Sequence, residues 1–194
     1  MSTYDPIFRS PIIVASAQTA QPGELSLDDL TGVPVIHIQG EAGDLLQGHF
    51  AQIPAKPGEV VEVDGGLLAR LTPAELYLFG LSVGVSLPTA ADLDHTFAQA
   101  QRFAHATDYT HGKAVLRLAG AAAPDLLSKI CGLDFYDAVF PSGRVAQTSA
   151  AKIKTLIAHF DQDQTPTYYL HVNRPLGQYF WEVTQDAGRE FGLV

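Results

Sequence analysis

Residues 32–40 have the sequence Gly-Val-Pro-Val-Ile-His-Ile-Gln-Gly, and residues 112–120 have the sequence Gly-Lys-Ala-Val-Leu-Arg-Leu-Ala-Gly. Each segment begins and ends with glycine and is rich in β-branched or aliphatic side chains between them. Short apolar segments bounded by glycine are typical of β-strands. Because the two segments lie 80 residues apart (32 and 112), they also indicate an internal duplication.

The sequence after each segment supports this duplication. An Asp-Leu-Leu motif, a proline- and glycine-containing turn and a Thr-Pro pair follow in the same order in both halves. The matching segments are Asp44-Leu45-Leu46 with Asp125-Leu126-Leu127, Pro57-Gly58-Glu59-Val60 with Pro141-Ser142-Gly143-Arg144-Val145, and Thr72-Pro73 with Thr165-Pro166. Such short patterns recur by chance, but several in the same order favour two copies of one supersecondary unit.

Alternation of apolar and polar residues predicts the elements of each half. In the first half we expect strands over 33–39, 59–63, 66–71 and 76–81, with Asp64-Gly65 as a hairpin turn, and a brief helix over 43–52. In the second half we expect strands over 113–119, 144–150, 152–160 and 167–173, and a helix over 121–131 with Pro124 in its first turn.

One further helix closes each half. The first is predicted to begin at Thr89 as N-cap, with Asp92 in the first turn, and to carry one apolar face. The second is predicted to begin near Pro175 with Asn173 as its cap. The apolar faces comprise Leu93, Phe97, Ala100 and Ala104 in the first helix, and Leu176, Tyr179, Phe180, Val183 and Ala187 in the second.

These elements predict an α+β fold of two tandem β-α-β-β-β-α units with mainly antiparallel sheets, packed as a pseudo-twofold pair. We place the first unit at residues 31–105 and the second at residues 106–194. Residues 1–30 form an N-terminal arm in which Ile12-Ile13-Val14 could make a short strand. Its apolar residues Tyr4, Ile7, Phe8 and Ile12 are expected either to dock a partner or to pack on the chain's own body.

Composition excludes some classes of function. The formal net charge is −9, with 12 Lys and Arg against 21 Asp and Glu, which argues against binding to nucleic acid or to an anionic membrane surface. One cysteine, Cys131, permits no internal disulfide. We find no apolar run of the roughly 18–20 residues needed to span a membrane and no secretory signal at the N-terminus. We therefore expect a cytoplasmic protein.

Several motifs resemble the γ subunits of heterotetrameric sarcosine oxidases, within the superfamily of the glycine-cleavage T-protein and the folate-linked aminomethyltransferases. The strongest similarity lies over residues 112–182, where the strand sequence, a Cys-x-Leu-Asp motif and an Ala-Gln-Thr motif resemble those of the γ subunits. The segments concerned are Arg9-Ser10-Pro11-Ile12, residues 72–78, Val115-Leu116-Arg117-Leu118-Ala119-Gly120, Cys131-Gly132-Leu133-Asp134, residues 140–148 and Tyr179-Phe180-Trp181. Residues 13–66 are similar only weakly.

The resemblance implies a T-protein-like folate-binding fold and a non-catalytic γ subunit whose role is structure and interface. It implies α and β subunits as partners, with FAD, FMN, NAD and folate held in those subunits and no cofactor in this chain. It also implies that Gln147 and Thr148 stand where catalytic T-proteins carry a pair of aspartates. Neither side chain exchanges a proton near neutral pH, so we assign no catalytic residue.

Other chemistry is less favoured by the residues. Cys131 is more typical of a small core residue than of a nucleophile, and the spacing of His105 and His111 is not an established metal-ligand spacing, so we predict no metal site. Tyr77, Tyr168 and Tyr169 are interpreted as core aromatics.

The alternative is a free-standing folate-binding protein of the same superfamily, which would bind tetrahydrofolate. Folate binding requires a cation for the glutamate tail and a carboxylate or amide for the pterin ring. Arg117, Lys152 and Arg174 are the candidate cations, provided that they line one cavity.

Overall fold

The computed structural model of the chain describes residues 9–13 and 25–193. The strands of this part of the chain are β1 (Ser26–Asp29), β2 (Val35–Gly40), β3 (Glu59–Val63), β4 (Gly66–Thr72), β5 (Glu75–Gly80), β6 (Ala104–Asp108), β7 (Lys113–Ala119), β8 (Arg144–Ala150), β9 (Ile153–His159) and β10 (Thr167–Asn173). The α-helices are α1 (Ala90–Gln99), α2 (Ala123–Ile130) and α3 (Gly177–Gly188).

All ten strands belong to one antiparallel sheet in the order β1-β7-β10-β9-β8-β3-β4-β5-β2-β6. The two halves of the chain meet at the centre, where Glu59 of β3 lies opposite Arg144 of β8. The Val60 N–H donates to the carbonyl of Gly143 at 2.9 Å, and the Val145 N–H donates to the carbonyl of Gly58 at 2.9 Å. Read outward from this junction, the order of strands is equivalent on the two sides.

The two outermost strands are exchanged between the halves. Strand β1 precedes β2 in the chain but pairs with β7 of the second half, whereas β6 precedes β7 but pairs with β2 of the first half. The boundary predicted between residues 105 and 106 therefore falls inside β6. The β3–β8 pairing makes the sheet continuous across the molecule, and each half supplies the edge strand that extends the other half.

The sheet curls, so that one face encloses a core shared by both halves and the other face carries the helices. Every second side chain of the strands points inward and contributes to the shared core. Within this core the rings of Phe79 on β5 and Tyr169 on β10 lie 5.9 Å apart. On the outer face, α1 covers a second core through Leu93 and Phe97. Helices α2 and α3 cover a third core, which includes Trp181.

Most predicted strands match the observed ones, but some predictions near the ends of elements are wrong. The helix expected over 43–52 is a single 3₁₀ turn, Leu45–Gly48, so the first half does not have the predicted β-α-β-β-β-α order. Helix α1 ends at Gln99, and Ala104 belongs to β6. These strand and helix assignments make the fold a curled antiparallel sheet with few helices.

The final helix also differs from its prediction. Residues Arg174–Leu176 form a 3₁₀ turn, and α3 begins at Gly177. The Asn173 side chain makes no capping hydrogen bond there. Phe180 and Ala187 are buried as predicted, whereas Leu176 and Tyr179 are exposed.

The described part of the N-terminal arm packs on the chain's own second half. Ile12 is buried in the core under α3, and the Ile13 N–H donates to Gln178 Oε1 at 2.8 Å. Ser10 donates to Asp29 Oδ2 at 2.5 Å, and Arg174 donates to the carbonyl of Arg9. Ile12 and Ile13 are not in a strand, while Tyr4, Ile7, Phe8 and Val14 lie outside the described residues. A search of the described residues for a helix with the length and hydropathy of a membrane span finds none.

Candidate functional site

A polar cavity lies on the inner face of the sheet, where β2 and β5 of the first half approach β7, β8, β9 and β10 of the second. Its volume is about 250 Å³. The lining residues are His37, Glu75, Tyr77, Tyr109, Lys113, Gln147, Lys154, Leu156, His171 and Asn173. We call this space the central cavity. Successive side chains of a strand point to opposite faces of the sheet. These polar side chains therefore lie on the same face as the apolar inner core, which occupies other positions of the same strands.

Two buried histidines form part of the floor of the central cavity. His171 is 3% exposed, and its ring lies 4.4 Å from the Phe79 ring at an edge-on angle. Burial, followed by the positive charge of Lys113, lowers the pKa of His171 from 6.5 to about 3. No hydrogen-bond partner for either ring nitrogen is found within the described chain. His171 is therefore neutral at physiological pH and presents one donor and one acceptor nitrogen.

His37 is held by its neighbours. Its Nε2 lies 2.9 Å from Glu75 Oε1, and its ring stacks on that of Tyr77 at 4.4 Å between centroids. Burial lowers the pKa of His37 despite the opposing effect of Glu75. Its Nδ1 has no partner among the described residues. Burial and the nearby Glu75 carboxylate raise the pKa of Tyr77 to about 12, so the Tyr77 phenol remains protonated.

Two lysines stand above this floor. Lys113 Nζ donates to Asn173 Oδ1 at 2.9 Å and lies 5.6 Å from the centroid of the Tyr109 ring. Burial, followed by the charge of Lys154, lowers the pKa of Lys113. Lys154, Gln147 and Asn173 are exposed at the mouth. Glu75 is the single carboxylate among the residues that line the central cavity, so cations outnumber anions there.

The three cations selected from the sequence do not line the central cavity. Arg117 lies farther along β7, where its guanidinium forms an ion pair with Asp28 at 2.9 Å. Lys152 is exposed in the turn between β8 and β9 with φ of 65°. Arg174 lies in the 3₁₀ turn after β10 and contacts Arg9. The requirement that these three side chains share one cavity is therefore not met in this cavity.

Other residues considered from the sequence take varied places. Cys131 is buried and forms an isolated β-bridge with Ala150. Tyr77, Tyr168 and Tyr169 are all buried core residues, as predicted, and Tyr77 also lines the central cavity. No group of three His, Cys, Asp or Glu side chains in the described part of the chain is arranged to hold a metal ion.

Sequence reasoning missed His37, Lys113 and His171 as members of one site. The alternation of apolar and polar residues along the strands carried a signal for this site. Each of the three is a polar side chain on the inward-facing side of a mainly apolar strand. The alternation could not reveal that the three strands meet across the cavity.

Comparison with models of known protein families identifies the family of this chain. The model of the family described as "Sarcosine oxidase, gamma subunit family" matches residues 61–190, which is more than half of the chain. The chain belongs to the sarcosine oxidase γ subunit family. The resemblance inferred from the Cys-x-Leu-Asp and Ala-Gln-Thr motifs is thereby confirmed.

Solved structures show the same fold as this γ-family chain. A chain of the heterotetrameric sarcosine oxidase from Corynebacterium sp. U-96, solved in complex with pyrrole 2-carboxylate, has a TM-score of 0.73 and 22% identity, covering 90% of this chain and 89% of that chain. The glycine cleavage system aminomethyltransferase T from Bartonella henselae has a TM-score of 0.65 and 14% identity, covering 86% of this chain and 47% of that one. A search of curated proteins found no significant match. The T-protein-like fold is therefore confirmed.

Proposed function

We propose that this chain is the non-catalytic γ-type subunit of a heterotetrameric sarcosine oxidase-like complex, with a structural and interface role. The family match over residues 61–190 carries the proposal. It is supported by a similar fold, over 89% of its length, in a chain of an enzyme described as a heterotetrameric sarcosine oxidase. Its partners would be the α and β subunits, which would hold FAD, FMN, NAD and folate.

The chemistry of the inner face supports a non-catalytic role. Gln147 lines the central cavity, at the position where the resemblance implies an aspartate in catalytic relatives. An amide does not exchange a proton near neutral pH, so Gln147 cannot act as general acid or base. The buried His171, neutral over most of the pH range, is likewise a poor proton acceptor at pH 7.

The strand order supports a duplicated architecture. We infer that residues 31–105 and 106–194 descend from one unit and pack about a pseudo-twofold axis at the β3–β8 junction, with β1 and β6 exchanged. The equivalent order of strands on the two sides of the junction supports this inference. Superposition of β2–β5 on β7–β10 tests it, because a duplicated unit requires the four strands to align in this order.

The surface is suited to contact with other subunits. Large apolar side chains are exposed at several places, including Phe103 at 90%, Ile13 at 85% and Tyr136 at 72%. Large aromatic side chains are common anchors at protein interfaces.

Spectroscopy and turnover of the purified chain test the proposal. We expect no visible flavin absorbance and no oxidation of sarcosine by the isolated chain. Oxidase activity should appear only in preparations that contain the α and β subunits. Oxidation of sarcosine by the chain alone would refute a non-catalytic role.

The second candidate is folate binding, which the composition of the central cavity favours. Lys113 and Lys154 could receive the glutamate tail, and the Asn173 and Gln147 amides could contact the pterin ring. The volume of about 250 Å³ is smaller than the roughly 300–1,000 Å³ typical of sites for drug-sized ligands, which disfavours a whole folate. Calorimetry with folinic acid decides: saturable heat that Lys113→Met removes supports folate binding, and flat heat at millimolar ligand rejects it.

A further inference from the structure

The central cavity has the electrostatics of an anion site within an acidic protein. Lys113 and Lys154 both line this cavity. After the larger effect of burial, the charge of Lys154 further lowers the pKa of Lys113. The cavity therefore carries two cations against Glu75, although the whole chain has a net charge of −9. A bound anion would relieve the repulsion between the lysines, and the half-enclosed walls would strengthen its attraction.

Unpartnered nitrogen atoms on the floor point to a ligand by a second route. His171 Nδ1, His171 Nε2 and His37 Nδ1 are buried without a hydrogen-bond partner among the described residues. Buried polar groups normally have partners, because an unpaired buried group loses its hydrogen bonds to water without replacing them. A ligand oxygen that reaches the floor could accept a hydrogen bond from the imidazole N–H of His171.

The size and lining of the cavity limit the class of ligand. About 250 Å³ accommodates a molecule of amino-acid size better than one with several rings. Tyr77, Tyr109 and Leu156 supply apolar surface beside the polar groups. A carboxylate with a small organic body can place its oxygens on the lysines and its carbon atoms on these walls, whereas an inorganic anion has no apolar part.

We propose that the central cavity is a binding site for a small organic carboxylate, held by Lys113 and Lys154 with the His171 ring on the floor. This role is separate from assembly with other subunits, because it uses the interior of the chain rather than its outer surface. The carboxylate oxygens would replace part of the hydration of both lysines, and Glu75 would remain with His37.

Nuclear magnetic resonance of the histidine rings in the full-length chain tests the proposal with sodium propionate as the probe. We expect the His171 and His37 ring signals to shift and saturate at millimolar propionate at constant ionic strength. The exposed His95, which contacts Gln99, serves as an internal control and should not shift. The absence of saturable shifts at His171 and His37 would overturn the proposal.

Two variants locate the site, and two competing ligands define its chemistry. Lys113→Met and the exposed Lys154→Met should each weaken propionate binding about tenfold, as expected for the loss of a charged hydrogen-bond donor. Lys56→Met removes the same charge outside the cavity and should have no effect. Equal weakening in all three variants would overturn the site. If inorganic phosphate binds as tightly as propionate or more tightly, the choice of an organic carboxylate is overturned. If folinic acid competes with propionate at micromolar concentration, the limit on ligand size is overturned.

Discussion

At the scale of single residues, the close approach of the end of β2 to the start of β6 depends on Gly40. Its φ is +95°, and a Cβ atom at this position would lie 2.2 Å from the carbonyl oxygen of Phe103. The Glu41 N–H donates to the same oxygen at 3.0 Å, so the two backbones cannot separate without losing this hydrogen bond.

We expect Gly40→Ala to lower the free energy of unfolding by at least about 2 kcal/mol, since backbone strain adds to the clash. Urea denaturation followed by circular dichroism measures the change. Gly48→Ala is the matched control, because nothing lies within 4 Å of a Cβ there, and it should be nearly neutral. Similar stabilities of the two variants would contradict the packing described here.

The buried His171 makes stability depend on pH. Its pKa is about 3 in the folded chain against an ordinary value of 6.5, so the unfolded chain binds more protons between these values. Stability must therefore fall as the pH falls from 6.5 towards 3, by about 1 kcal/mol per pH unit from this group.

We expect His171→Leu to reduce this slope when urea denaturation is repeated at pH 7, 6 and 5. Some slope should remain, because the pKa of His37 is also lowered. An unchanged slope in the variant would show that His171 is not buried in its neutral form.

At the scale of elements, the start of α1 was correctly predicted, since its signal is local. The Asp92 N–H donates to Thr89 Oγ1 at 3.2 Å, and the Thr89 N–H donates to Asp92 Oδ2 at 2.9 Å. These reciprocal bonds form a capping box.

We expect Thr89→Ala to reduce stability by about 1 kcal/mol in thermal or urea denaturation, because the N-cap acceptor is lost. Ser86→Ala, in the exposed loop before the helix, is the control and should change stability by less than about 0.5 kcal/mol. A neutral Thr89→Ala would mean that tertiary packing alone sets the start of α1.

Local signals explain which elements could be predicted from the sequence. The β3–β4 hairpin was predicted because Asp64-Gly65 specifies its turn. Strands β1 and β6 were missed because Ser-Leu-Asp-Asp and Ala-His-Ala-Thr-Asp have weak strand propensity, and pairing with β7 and β2 determines their conformation. The central cavity was missed for the same reason, since only the curl of the sheet brings His37 near His171.

At the scale of the whole molecule, pairing of β3 with β8 joins the two halves into one sheet, and the exchange of β1 and β6 places an edge strand of each half on the other. Neither half can unfold without exposing a strand edge of the other. We therefore expect one cooperative unfolding transition rather than two.

Trp181, the single tryptophan, lies in the core under α3 and reports on the second half, whereas far-ultraviolet circular dichroism reports on both halves. The two signals should give the same midpoint in urea. A fluorescence midpoint clearly displaced from that of circular dichroism would contradict a single cooperative unit.

The γ-subunit role concerns assembly, so the native mass of the assembled protein tests it most directly. The chain, of 20.8 kDa, is co-expressed with the α- and β-type oxidase subunits from the same source and examined by native mass spectrometry. We predict a flavin-containing complex in which this chain is present in stoichiometric amount. A complete α–β assembly that forms with full activity and excludes this chain would contradict the role.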